Sequence, residues 1–203
     1  GKPLWKYLSD LSPEEIVELV DFRYITDYLT PAEALEILKK AKANRAENEK
    51  ELLENGLPAY TTSAGWLGYT DEKMVRLAKE AVADGFKLIK LKCGTNLEDD
   101  KRRLKLAREA IGPNVKLAID ANQVWDVNDA IKWINDLGDV NLHWVEEPTS
   151  PDDVLGHAAI AKAIAPVKVA TGEHVMNRIM FKQLIQAKSF SFMQIDASRV
   201  AGM

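Results

Sequence analysis

One cysteine, Cys93, stands among 203 residues, so an internal disulfide framework is excluded and a reducing compartment fits. Basic charge is not in excess. Lys and Arg number 27 against 31 Asp and Glu, a formal net charge of -4, and the basic face a nucleic-acid surface needs is missing. No apolar run approaches the ~18 residues of a membrane-spanning helix. The dinucleotide fingerprint G-x-G-x-x-G is absent too, which removes the usual sign of a Rossmann turn. The chain opens "GKPLWKYL", without an initiator Met and without a leader pattern. An opening of that kind leaves targeting open. The expectation is an intracellular protein, cytoplasmic or, in a eukaryote, mitochondrial, that binds neither nucleic acid nor membrane.

What is present is ordinary globular material, 46% hydrophobic and 29% charged, enough for one real core and too little for two large domains. Residues 1–57 read as helix and turn. "SPEEIVELVDF" offers Ser12 as N-cap, Pro13 at the first helical position and acids in the first turn. "TPAEALEILKKAKANRAENEKELLENG" repeats the device, with Thr30 capping and Gly56 stopping one long, polar helix. From residue 58 to 203 the pattern changes. The strand-like runs are "AYTTSAGWL", "FKLIKLKC", "VKLAID", "LHWVEE", "VKVATGE" and "SFMQID". Helix-like runs starting near Thr70, Asn96, Asp126, Ser150 and Asn177 separate them. This alternation predicts parallel β/α units.

A doubly wound sheet and a (β/α)₈ barrel both fit that rhythm. The placement of charge separates them. Lys92, Asp120, Glu146, Glu173 and Asp196 are expected to end five successive strands, at steps of roughly 23–28 residues, about one strand plus helix. Charges at successive C-terminal strand ends converge on the mouth of a barrel. Asp120, Glu146 and Glu173 would repel one another in a partly dry site unless a cation sat among them. An all-oxygen donor set with room for water and substrate favours Mg²⁺. In "FKLIKLKCG", Lys90 and Lys92 share one strand face, and Ile89, Leu91 and Cys93 share the other. On a barrel strand the two lysines point inward. Neighbouring ammonium groups in a desolvated site lower each other's pKa, and a lysine so tuned can act as a general base near neutral pH.

"KLKCG", "IDANQVW", "WVEEPTSPDD", "VATGEHVMNRIMFKQL" and "QIDASR" together resemble the barrel of the enolase superfamily. Within it they are similar to the mandelate-racemase-like acid-sugar dehydratases, and most of all to the L-fuconate dehydratase family. The resemblance implies a TIM-type barrel preceded by a capping domain, of which residues 1–57 would be a helical remnant with its linker. It implies Asp120, Glu146 and Glu173 as Mg²⁺ ligands and Lys92 as the base that removes the proton α to a carboxylate. Lys90 would contact the substrate carboxylate, with Asn122 and Glu173 also near the substrate. Asp196 would be the aspartate of an Asp–His dyad, and Glu147 a support behind the ligands. The implied reaction is loss of the β-hydroxyl from a sugar acid, giving a 2-keto-3-deoxy acid. Homo-oligomers are common among such barrels, so one is expected of the full-length protein.

Two departures from the family pattern shape the remaining expectations. Six strands are readable where a closed barrel has eight. No histidine here matches the dyad partner of Asp196, which would lie on a seventh strand. His143 is expected to pack beside Trp144, His157 to be structural and His174 to sit near the mouth without a catalytic role. The incomplete barrel by itself is expected to be inactive. A non-catalytic truncated form, racemisation and a different sugar acid are the alternatives. Thr61, Thr62, Ser63 and Trp66 are candidates for lining the pocket, with plain strand formation as the competing reading.

Overall fold

The computed structural model describes residues 1–57 and 61–200. Its contacts divide the chain into two compact units, Gly1–Pro58 and Ala59–Met203.

The first unit holds four helices: α1 (Leu4–Asp10), α2 (Pro13–Leu19), α3 (Pro31–Lys42) and α4 (Arg45–Asn55). The expected caps form. Ser12 and Glu15 make a reciprocal capping box at α2, and Thr30 and Glu33 make another at α3, each satisfying orphan N–H groups of the first turn. Gly56 ends α4 at φ 69. The single long helix expected over this stretch is instead two, broken at Ala43–Asn44. Tertiary bonds on both sides of the break explain it. Lys42 Nζ donates to Leu11 O at 2.8 Å, and Arg45 donates to Ser9 Oγ at 3.0 Å and pairs with Asp10. Asn44, a poor helix former, yields between them.

The second unit alternates strand and helix: β1 (Thr61–Gly65), α5 (Asp71–Ala83), β2 (Leu88–Lys92), α6 (Leu97–Ile111), β3 (Lys116–Asp120), α7 (Val127–Asp136), β4 (Leu142–Glu146), α8 (Val154–Ala163), β5 (Lys168–Thr171), α9 (Arg178–Gln186) and β6 (Phe192–Met193). Every pairing is parallel and the order is β1-β2-β3-β4-β5-β6. A doubly wound sheet reverses its strand order from the middle. A strictly sequential order is that of a TIM-type barrel, here an open six-stranded part of one. Ala59 and Tyr60, expected in the first strand, lie outside the described residues. α8 starts later than expected: Asp153, not Ser150, is its N-cap and accepts from Gly156 N at 2.7 Å. Among the described residues no helix is long and apolar enough to cross a membrane.

The two sheet faces bury different things. Ile89, Leu91, Leu117, Ile119, Val145 and Val169 form one core with Met74, Ala78, Leu104, Ala107, Ile134 and Ile160 from the covering helices. The other face carries Leu88, Ala118, Trp144, Ala170 and Phe192, a thin apolar layer. Strand alternation then puts Lys90, Lys92, Asp120 and Glu146 on that second face, one residue pair further along.

Candidate active site

The strand registers set the charged layer. Lys92 pairs with Asp120 across β2 and β3, and Asp120 with Glu146 across β3 and β4. The series stops there, because Glu146 lies opposite Ala170. The expectation that five charges end five strands is therefore corrected. Glu173 follows the end of β5 by two residues and Asp196 follows β6 by three. Gly172 is the cause at β5: it leaves the ladder at φ 134, where a Cβ would lie 2.2 Å from Gln194 O. Only glycine fits that turn.

Positive and negative groups alternate in the layer. Lys90, Asp120 and Glu146 are all buried, at 2%, 3% and 1% exposure. Lys90 Nζ pairs with Glu146 Oε1 and lies 3.4 Å from Asp120 Oδ2. Lys92 Nζ reaches the same Asp120 oxygen at 2.6 Å and Asn122 Oδ1 at 2.8 Å. Burial pushes the Glu146 carboxyl above its ordinary range, and the adjacent Asp120 adds to this; Lys90 opposes both. Glu146 Oε2 is buried without a hydrogen bond of normal geometry. A buried carboxylate oxygen in that state calls for a cation or a donor. The donors here are hard oxygens on adjacent strands, and they fit a Mg²⁺ ion better than a softer metal.

The third acid of the expected metal set is turned elsewhere. Among the described residues, the acidic or histidine group whose donor atoms all lie within 4.8 Å of one another is Glu147, Glu173 and His174. Glu147 is 1% exposed, and its Oε1 accepts from Gln123 Nε2 at 2.9 Å and bonds His174 Nδ1. His174 Nδ1 is 3.7 Å from Glu173 Oε1. Glu147 thus ties the loops after β3, β4 and β5 together. Asn122, Gln123 and Glu147 hold φ values of 47, 66 and 44, left-handed backbone that non-glycine residues rarely adopt. Asp120 Oδ1 accepts from Asn122 N at 3.0 Å and fixes the first of these turns. Such strain collects where a site imposes its geometry.

Sequence reasoning missed Gln123, although it lies in "DANQ" beside Asn122. The signal was available: Gln123, Glu147 and His174 each follow one expected metal ligand by one to three residues. Asp196 caps its own turn, accepting from Ser198 N and Arg199 N at 2.8 and 3.2 Å. His143 packs at 5.5 Å from Trp144 and 5.3 Å from Phe192. His157 is buried, its Nδ1 bonded to Asp153 O. Trp66 is exposed, with Lys92 Nζ 5.7 Å from its ring centroid, and Thr61 is half-buried. The side chains of Thr62 and Ser63 lie outside the described residues.

A parallel sheet in sequential order, with lysines on one strand facing acids on the next two, defines the barrel of the enolase superfamily. A family model described as Enolase C-terminal domain-like matches residues 73–203, and the chain belongs to that superfamily. It is similar to human Mitochondrial enolase superfamily member 1, whose crystal structure superposes with a TM-score of 0.96 at 50% identity, over 100% of this chain and 46% of that one. L-galactonate dehydratase of Hypocrea jecorina is 49% identical over 209 residues, 100% of this chain and 46% of its own length. L-talarate dehydratase from Polaromonas sp. JS666, crystallised with Mg and L-glucarate, has a TM-score of 0.69 at 30% identity, over 84% of this chain and 48% of that one. The chain thus spans about half the length of these relatives.

Proposed function

We propose that the protein carrying this chain is a Mg²⁺-dependent hydro-lyase of sugar acids. The observation that carries the reading is the alternating layer of Lys92, Asp120, Lys90 and Glu146, which places two ammonium groups beside two buried carboxylates. Asp120, Glu146 and Glu173 would hold the ion, with Glu173 swinging from its contact with His174. When bound, Mg²⁺ supplies positive charge to the substrate carboxylate as its α-proton becomes acidic. Lys92, as the neutral amine, takes that proton on Nζ. Asp120 and Asn122 fix where Nζ points. Lys90 stays protonated and donates to the carboxylate oxygen on which negative charge develops. Departure of the β-hydroxyl, protonated by a general acid, leaves an enol that becomes the 2-keto-3-deoxy acid. Asp196 is assigned to orient the histidine that serves there.

The substrate class is a polyol acid of the L-fuconate type. The 49% identity to an L-galactonate dehydratase supports L-galactonate beside it. The two acids share their stereochemistry and differ by the C6 hydroxyl. The test uses the protein that carries this chain, with Mg²⁺, screened for dehydration of sugar acids. The expected result is turnover of L-fuconate or L-galactonate. Lys92→Ala should lower kcat by ~10²–10⁴-fold and stop α-deuteron exchange. Exchange retained in that variant defeats the base assignment, and racemisation without dehydration defeats the reaction class.

A further inference from the structure

The pairing of β1 with β2 is irregular. Thr61 lies opposite Ile89 and Gly65 opposite Leu91, so a step of four residues along β1 runs beside a step of two along β2. The backbones also come very close here, since a Cβ on Gly65 would lie 2.5 Å from Leu91 Cα. A shifted ladder leaves carbonyls at its end without ladder donors. Three carbonyls at this end of the pair are Gly65 O, Trp66 O and Lys92 O, and Trp66 O also accepts from Tyr69 N at 3.4 Å. One side chain from α6 takes all three: Arg103 donates to Lys92 O at 2.8 Å, Gly65 O at 3.1 Å and Trp66 O at 3.2 Å. Arg103 is 3% exposed, and Asp100, fully buried one turn earlier, lies 3.8 Å from it. Asp100 Oδ2 accepts from Gly94 N at 2.8 Å and from Trp133 Nε1 at 3.1 Å. The carbonyl of Lys92 and the amide two residues on are therefore both held from α6. A buried guanidinium is costly, and its planar fork suits several carbonyls at once.

We infer that Arg103 is a positioning residue for Lys92: it locks the outgoing ends of β1 and β2 together, and so sets where the Lys92 amine stands over Asp120 and beside Trp66. The inference rests on the reading of Lys92 as the base. Arg108 on the same helix provides the control. It donates to Val140 O, Gly112 O, Val115 O and Asn141 O at the opposite end of the sheet, far along the strands from the lysines.

The experiment uses the Mg²⁺-loaded protein carrying this chain, L-fuconate and L-galactonate as probes, and acetylation of Lys92 by an amine-reactive ester, read by mass spectrometry. Arg103→Met should lower kcat by ~10²-fold with KM within about threefold, because a base displaced by about 1 Å loses its alignment. Lys92 acetylation should change several-fold. Arg103→Lys, which keeps the charge and folds more readily, should give a smaller loss of ~10-fold, since one ammonium cannot span both strand ends. Arg108→Met should lower Tm as much as Arg103→Met yet leave kcat and Lys92 acetylation within about threefold of the parent. Normal kcat in Arg103→Lys and Arg103→Met, or equal losses in the Arg103 and Arg108 variants, overturns the inference. If Lys92→Ala keeps exchange, the base reading fails, and the acetylation pattern still decides whether Arg103 places Lys92.

Discussion

The two ends of the same six strands are built on different principles. At the entry ends, Lys116 and Lys168 are exposed, and one half-buried guanidinium meets neutral carbonyls. Arg108 gathers four carbonyls, and the left-handed turn after α6 is taken by Gly112 at φ 74. At the exit ends, charges are buried beside one another and left-handed turns are taken by Gln123 and Glu147, at φ 66 and 44. Left-handed turns of both kinds occur at each end, with Asn141 at φ 51 before β4 and Gly172 at φ 134 after β5, so what separates the ends is the buried cluster of Lys90, Asp120 and Glu146 at the exit side. That contrast marks the exit ends as the working face before any comparison with a relative.

The largest expected effect breaks the charged layer itself. Lys90→Met leaves buried Glu146 without its ammonium partner, beside an Asp120 that keeps Lys92 alone. Removing one partner of a buried ion pair typically costs about 3–5 kcal/mol. Urea unfolding of the metal-free protein should show a loss of that order. Saturating Mg²⁺ should recover part of it, because the ion replaces the missing charge. Equal losses with and without Mg²⁺ would mean that the two carboxylates do not hold the ion. At the entry ends the counterpart is Arg108→Met, which removes a cation from neutral carbonyls and leaves no carboxylate unpaired, so Mg²⁺ should recover none of its loss.

A smaller effect tests the loops. Glu147→Gln keeps the shape and removes the charge that joins Gln123 and His174. Partners behind metal ligands typically set affinity by about 10–100-fold. The expectation is Mg²⁺ affinity lower by ~10-fold in calorimetry, with Tm nearly unchanged. Unchanged affinity would make Glu147 a packing residue and Glu173 independent of its neighbours.

Much of this was legible in the sequence because strand alternation is unforgiving. Once "KLIKLKC" is a strand, Lys90 and Lys92 must share a face, and the apolar set must share the other. The caps at Ser12 and Thr30 were equally readable, and the helix starts near Thr70, Asn96 and Asn177 are side-chain caps as well, whereas the cap expected at Ser150 falls to Asp153. What was not legible lies where tertiary contacts decide. The break at Asn44 depends on Lys42 and Arg45 reaching α1, 31 and 36 residues away. The placing of Glu173 depends on Gly172 meeting Gln194 O. Arg103 reads as one more cation on a polar helix until β1 and β2 are seen to pair out of step. Local pattern specifies faces, whereas long-range backbone meetings specify where strands end.

The finest difference between the two ends concerns a buried histidine behind the loop of Glu147. His157 Nδ1 donates to Asp153 O at 2.9 Å, and Nε2 is buried without a partner. Protonation would put a charge and an unmet N–H into the core. Burial therefore holds the His157 pKa below its ordinary 6.5, against the weaker pull of the Asp153 carbonyl and carboxylate and of Glu147. With the folded pKa lowered, the unfolded chain binds more protons below pH 6.5. The stability that neutral His157 contributes is then complete above 6.5 and is lost as pH falls through the window beneath it. His157→Gln removes that slope. The difference in Tm between pH 7.5 and pH 5 should be smaller in the variant than in the parent, by roughly 1–3 °C. Parallel slopes would mean that the unpaired Nε2 finds an acceptor when it protonates. The acid sensitivity of the exit end would then lie in its carboxylates alone.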